Sequence, residues 1–221
     1  DGNFHRRQSC LHLAAYLGHA NMLVLLMDHL DARSGGSGLG WSVTWKDKRE
    51  DTPLHLAAAG SSPCHTECVR VLVRSNLSRG VLSKLSQRNK DGQVPAELAA
   101  KMGHTASLAI LLELYDAPVT SCVSVAAKSG AIEALKLLIS KGGSCSGEAG
   151  RTSPLALAAA NGHLECCQVL VEGLLMSPSA SAFSSCLSEA LCAAASACRP
   201  AVLLLLMDAV ADHGGASVTE Q

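Results

Sequence analysis

The residues of this chain with chemistry to do are its histidines and cysteines, and three arrangements of them stand out. His12 and His55 occupy the same place in two near-identical runs, S-C-L-H-L-A-A at 9–15 and T-P-L-H-L-A-A at 52–58, where a general base could sit. Cys64, His65 and Cys68 fall within five residues, as half of a zinc site does. Cys166 and Cys167 are adjacent, as in a strained redox disulfide.

Each chemical reading lacks a component. A histidine base needs a nucleophile and an orienting acid, and neither accompanies His12 or His55. Zinc takes four ligands at workable spacing, and no second Cys/His pair of that pattern lies in sequence to complete the site; Cys68 also stands where a helix needs a small buried residue. Neighbouring side chains on a helix diverge by about 100 degrees, and Glu165 and Gln168 supply nothing to activate a thiolate at Cys166 or Cys167. A catalytic motif occurs once, whereas a packing motif recurs with each layer of a repeat fold. The elements that hold these residues therefore come next.

The L-A-A core of the two runs recurs as Leu98-Ala99-Ala100, Val125-Ala126-Ala127, Leu157-Ala158-Ala159 and, more weakly, Cys192-Ala193-Ala194. Thr52 ahead of Pro53 predicts a helix start: a capping hydroxyl, then proline at the first turn, where its missing N–H costs nothing. Paired alanines such as Ala57 and Ala58 let helices approach closely, with Leu54 and Leu56 expected to fill the space between layers. Gly103 and Gly162 predict left-handed helix ends, and Val69, Leu72 and Val73 have the spacing of a second, amphipathic helix.

These residues, with G-H at 18–19, 103–104 and 162–163 and N-G-H-L-E-C-C-Q-V-L-V at 161–171, resemble the ankyrin repeat family over nearly the whole chain. The resemblance implies an all-α, ankyrin-type helical solenoid of about six helix-turn-helix repeats with finger loops, the fourth and sixth degenerate. The units fall roughly at 1–30, 46–77, 88–115, 117–143, 147–176 and 183–210, with 31–45 inserted and 211–221 a polar tail. It also implies that His12 and His55 tie backbone across neighbouring turns.

Composition agrees with thin layers: only six residues are aromatic, while Leu, Val and Ala dominate. Residues 1–110 carry 13 Lys and Arg against 9 Asp and Glu, a balance of +4; residues 111–221 carry 5 against 10, or −5. A field this modest is not the footprint of a nucleic-acid binder, although it would steer an acidic partner to the first half. The cysteines lie in apolar helical runs and read as buried thiols of an intracellular protein, cytoplasmic or nuclear. No charged-then-apolar leader follows Asp1, and the longest apolar run, Ala201–Met207, falls far short of the ~20 residues of a bilayer span.

Departures from the repeat point to function, because solenoid insertions map to loops. The largest is D-A-R-S-G-G-S-G-L-G-W-S-V-T-W-K-D-K-R-E at 31–50, in which W-S-V-T-W alternates like a short strand and sets Trp41 and Trp45 on one face. Beside Lys46, Lys48 and Arg49 they form either a partner-binding patch or a cover for their own loop. A second departure, at 57–68, adds about three residues between the helices of the second unit, a third, at 78–87, lengthens the connection into the third unit, and the fourth unit drops most of its finger.

The family's variable contact positions fall on Arg6 and Arg7, Tyr16 and Leu17, Lys46, Lys48 and Arg49, Lys101 and Met102, and Asn161. The resemblance implies a rigid concave surface for another protein or peptide, an acidic or phosphorylated one at the basic half, with no cofactor or metal. Two other readings are a recruiting or regulatory arm of a larger enzyme, such as a ubiquitin ligase, kinase or acyltransferase, and an architectural spacer. Further chain or a partner is expected over the apolar last helix.

Overall fold

The structure is a computed structural model that describes residues 9–33, 45–78, 85–114, 118–146, 151–176 and 180–216. The described residues form six helix pairs and no strand. Two compact units hold three pairs each, Asp1–Ala117 and Pro118–Gln221.

In the amino-terminal unit the pairs are α1 (Cys10–Leu17) with α2 (Ala20–Arg33), α3 (Pro53–Ala58) with α4 (Pro63–Ser78), and α5 (Pro95–Met102) with α6 (Thr105–Leu114). The first helices α1, α3 and α5 pack in a row, and the second helices α2, α4 and α6 in another. The alanine pairs Ala14–Ala15, Ala57–Ala58 and Ala99–Ala100 lie at the contacts of the first row, all buried. Leu54 is buried with them, but Leu56 is only half-buried and Leu13 is 41% exposed. Two residues along a helix is a rotation of about 200 degrees, so the second leucine of L-H-L faces away from the layer that the first one fills. Cys68, Val69, Leu72 and Val73 bury the opposite side of α4, as their spacing predicts.

The carboxy-terminal unit repeats the plan with α7 (Val119–Ser129) and α8 (Ile132–Ser140), α9 (Pro154–Asn161) and α10 (Leu164–Leu175), and α11 (Ala180–Ser196) and α12 (Pro200–Ala216). Its first row is α7, α9 and α11; its second is α8, α10 and α12. Ala126, Ala127, Ala158, Ala159, Ala190 and Ala194 are fully buried, and so are Leu135, Leu138, Leu170 and Leu206 of the second row.

Helix ends follow side-chain chemistry. Gly18, Gly103, Gly130 and Gly162 end first helices with φ between 74° and 78°, where a Cβ is disfavoured. Cys198 takes the same place after α11 with φ 53°. Ser153 caps α9 by accepting from Ala156 N–H at 3.3 Å.

Two helices outrun their expected ends. α2 continues through Arg33 into the predicted insertion, and α12 continues six residues past Val210 into the predicted polar tail. Once packed residues such as Val202 and Leu206 fix a helix, each added residue gains a hydrogen bond without a new nucleation cost. Polar composition therefore did not mark the end. The W-S-V-T-W strand lies, up to residue 44, outside the described residues, and Trp45 begins the described finger in neither helix nor strand.

Candidate protein-interaction site

The histidines of the repeated word are structural ties. His12 Nε2 donates to the carbonyl of Asp51 at 3.0 Å and His55 Nε2 to that of Gln93 at 3.1 Å, so each joins a first helix to the finger of the following repeat. Their Nδ1 atoms accept from the helix cap: Ser9 N–H at 3.2 Å and Oγ at 2.8 Å for His12, Thr52 N–H at 3.1 Å and Oγ1 at 2.8 Å for His55. Both rings are fully buried. Burial pushes both below the usual 6.5, against the raising effect of the accepting carbonyls and of Asp51 and Asp47 near His12 and Asp51 near His55. A neutral ring with both nitrogens engaged has no proton to exchange with a substrate. In the third repeat Glu97 takes the histidine's place, and its Oε2 accepts from Val94 N–H at 3.0 Å.

A second set of ties escaped the sequence reading. His65, His104 and His163 donate from Nε2 to the carbonyls of Tyr16 (2.9 Å), Ala59 (3.1 Å) and Lys128 (3.1 Å), each the residue after an L-A-A-type core in the preceding repeat. Arg199 does the same work for Ala160 at 3.4 Å. The recurring G-H pair marked two of these histidines. His65 is hidden by the insertion after Ala59, which shifts it along the chain although it fills the same space.

That assignment removes the zinc reading of Cys64, His65 and Cys68. His65 Nδ1 accepts from Ser62 Oγ at 2.6 Å, its other nitrogen is on Tyr16, and Cys68 is buried in the core of α4. Burial raises the Cys68 thiol to about 11 and that of Cys167 to about 12. All ten cysteines are free, and only Cys10, Cys64, Cys192 and Cys198 are exposed. N-ethylmaleimide should therefore add rapidly to those four in the native chain and to the other six only after denaturation, as counted by mass spectrometry. Fast native labelling of Cys166 or Cys167 would contradict the packing assignment.

The fingers carry the remaining polar chemistry. Asp47 Oδ1 accepts from Arg49 N–H (2.7 Å) and Asp51 N–H (3.0 Å), closing a turn in which Glu50 has φ 59°. Asn89 repeats the device with Asp91 N–H (3.1 Å) and Gln93 N–H (2.9 Å), and there Gly92 takes φ 73°. The fingers are joined by Lys90 N–H on the Arg49 carbonyl at 2.9 Å and by Asn89 Nδ2 on Asp51 Oδ1 at 2.8 Å, both buried side chains.

The predicted basic residues divide on this frame. Lys46 pairs with Glu50 at 3.1 Å and donates to the Arg88 carbonyl at 2.8 Å; Arg49 pairs with Asp91 at 2.9 Å. Lys48 is exposed and makes no ion pair within the described residues, and Lys90 on the next finger, at the equivalent turn position, is the same. The sequence reading missed Lys90, although aligning D-K-R-E-D with N-K-D-G-Q finds it.

Tyr16, Leu17, Trp45 and Met102 are each more than half exposed, and Lys101 is exposed beside Met102. Leu13 joins Tyr16 and Leu17 at the i, i+3, i+4 spacing of one helix face. Asn161, in the other unit, is exposed and bonds the Leu157 carbonyl at 2.8 Å. Arg6, Arg7 and Trp41 lie outside the described residues.

The paired helices have counterparts in known proteins. The family model for ankyrin repeats, in three copies, matches residues 37–122 and 123–215. The chain belongs to the ankyrin repeat family. It is 34% identical over 173 residues to the ankyrin repeat and KH domain-containing protein mask-1 of Caenorhabditis elegans, covering 75% of this chain and 6% of that protein. It is 41% identical over 73 residues to the putative E3 ubiquitin-protein ligase XBAT31 of Arabidopsis thaliana, covering 31% of this chain and 15% of that one. The chain thus spans a small part of either curated relative. The crystal structure of the human ASB11 ankyrin repeat domain shares the fold at a TM-score of 0.65 and 22% identity, over 91% of this chain and 84% of the other. Ankyrin repeats are protein–protein interaction modules, generally without catalysis of their own, and this is one. Among the described residues no helix is long and apolar enough to cross a membrane.

Proposed function

We propose that the amino-terminal unit binds an acidic or phosphorylated segment of another protein. Its contacts are the finger-tip lysines Lys48 and Lys90 and the first-helix residues Tyr16, Leu17, Lys101 and Met102, with Leu13 and Trp45 beside them. The observation that carries this reading is the contrast within the fingers: Lys46 and Arg49 are held in ion pairs, while Lys48 and Lys90 point two charges outward from tips fixed together by a backbone bond. Charges held on a fixed frame bind with little ordering cost.

The test is a displayed-peptide selection on the immobilised full chain, followed by charge reversal. Enriched peptides should be acidic with an apolar anchor, and Lys48→Glu with Lys90→Glu should weaken them by roughly tenfold or more at low salt, with the melting temperature little changed. Enrichment of neutral or basic peptides, or equal binding by the reversed chain, defeats the reading. Reversal of Lys46 or Arg49 should also weaken binding, but together with finger stability.

A second reading places this module as the recruiting arm of a larger enzyme. The identity shared with part of a putative E3 ubiquitin-protein ligase supports it, and the coding sequence on either side of residues 1–221 decides it. An intracellular location, cytoplasmic or nuclear, accords with six buried free thiols.

A further inference from the structure

The carboxy-terminal unit carries a feature that the first-helix face and fingers do not use. Between the second helices α10 and α12 runs a groove lined by Gln168, Val171, Glu172, Leu175, Leu205 and Asp208. Its floor is apolar: Val171 is buried, Leu205 half-buried and Leu175 44% exposed. Its rims are acidic, with Glu172 on α10 and Asp208 on α12, both exposed and neither in an ion pair within the described residues. On α8, at the other side of α10, Lys136 pairs with Glu133 at 3.2 Å. The corresponding helix of the other unit, α4, instead pairs its exposed Glu67 with Arg70 at 2.8 Å and leaves Arg74 facing solvent. The α10 and α12 groove therefore differs from α4 in setting an apolar floor between two carboxylates with no ion pair among the described residues.

We infer that this groove docks an amphipathic helix of a partner protein, with Leu- or Met-type anchors on the Val171, Leu175 and Leu205 floor and Lys or Arg on either flank against Glu172 and Asp208. The lined stretch, Gln168 to Leu175, is eight residues of α10 and about 10 Å long, the length of two helical turns. A helix presents anchors at that spacing and carries its own hydrogen bonds into an apolar groove. Carboxylates on both rims select a basic partner over a second copy of this acidic surface, and they repel an anionic membrane. The site uses second helices, and none of its residues is among the finger and first-helix contacts proposed above.

The probe is an 18-residue helical peptide with Leu at i, i+3, i+4 and i+7 and Lys on the flanking positions, compared with the same peptide carrying Glu for Lys. Both are titrated into isotope-labelled full-length chain and followed by amide shifts and by fluorescence anisotropy. Shifts from the Lys peptide should centre on residues 168–175 and 205–209. Glu172→Lys with Asp208→Lys should weaken it by roughly tenfold or more, as two exposed charge pairs imply. Glu133→Lys with Glu165→Lys, on neighbouring exposed sites outside the groove, should change it less than twofold, which separates a docked helix from general attraction to an acidic surface. All four substituted residues are exposed, and circular dichroism confirms the fold of each variant. The inference is overturned if the Lys peptide does not bind, or if the Glu peptide binds as well. It fails equally if the two pairs of reversals act alike, or if the shifts centre elsewhere. Peptide-free sedimentation that reports self-association through these residues, or capture by phosphatidylserine vesicles that the groove reversals abolish, overturns it in favour of a second copy or a membrane.

Discussion

His55→Ala should destabilise the amino-terminal unit by about 2–4 kcal/mol, far more than a surface substitution, because two groups of buried Thr52 and the carbonyl of half-buried Gln93 lose their bonds at once. The Gln93 carbonyl loses its donor, Thr52 N–H loses its acceptor, and Thr52 Oγ1 is left without the ring that it meets at 2.8 Å. The helix cap and the finger of the next repeat are both anchored on one imidazole, so chemical denaturation followed by circular dichroism should report a lower midpoint. A change below about 0.5 kcal/mol would mean that the tie carries no stability.

The same ring gives the protein a pH dependence with a defined sign. Burial holds the folded value for His55 and His12 below the usual 6.5, so the unfolded chain takes up protons first as pH falls. Stability is then full above about 6.5 and is lost as pH drops through the depressed folded values. A proton on Nδ1 would face the N–H and hydroxyl of the cap, which that atom now accepts. The melting temperature should fall between pH 7 and pH 5, and less steeply in His55→Ala than in the parent. A variant with the parent's full pH dependence would assign the effect to other groups.

The two sets of histidines show how far the sequence could be read. His12 and His55 were legible because S-C-L-H-L-A-A and T-P-L-H-L-A-A both put a capping hydroxyl and the histidine on a single turn, and a local motif survives in one dimension. The tie made by His65 was not, since its partner Tyr16 is 49 residues away and the insertion after Ala59 moved the histidine out of register. The basic finger was legible as composition but not as chemistry. Which lysines point outward depends on Glu50, Asp91 and the Arg88 carbonyl, and those partners meet only after the fingers stack. The groove on α10 and α12 was only half legible for a related reason: Leu205 lies in the apolar run 201–207, for which a cover was expected, but only the packing of α12 on α10 sets it beside Val171 and leaves a channel between them.

Gly130→Ala should cost the carboxy-terminal unit about 2–4 kcal/mol, the sum of two separable effects. Gly130 ends α7 at φ 75°, and a Cβ there would stand 2.7 Å from His163 Nδ1 and 2.8 Å from Cε1. The left-handed backbone alone costs an L-residue about 1–2 kcal/mol, and Cys198 demonstrates that the same turn accepts a side chain, with φ 53°, after α11. The remainder comes from His163, which must leave the position from which it reaches the Lys128 carbonyl at 3.1 Å. Gly142 supplies the control in the same unit: its φ is 84° and an added Cβ meets nothing within 4 Å, so Gly142→Ala should cost only the backbone part, about 1–2 kcal/mol. Adding His163→Ala to Gly130→Ala removes the ring that the new methyl strikes, and a double-mutant cycle should give a coupling of about 1 kcal/mol or more. Equal losses for Gly130→Ala and Gly142→Ala, with no coupling to His163, would mean that the glycine is required by the turn alone and not by the histidine that packs on it.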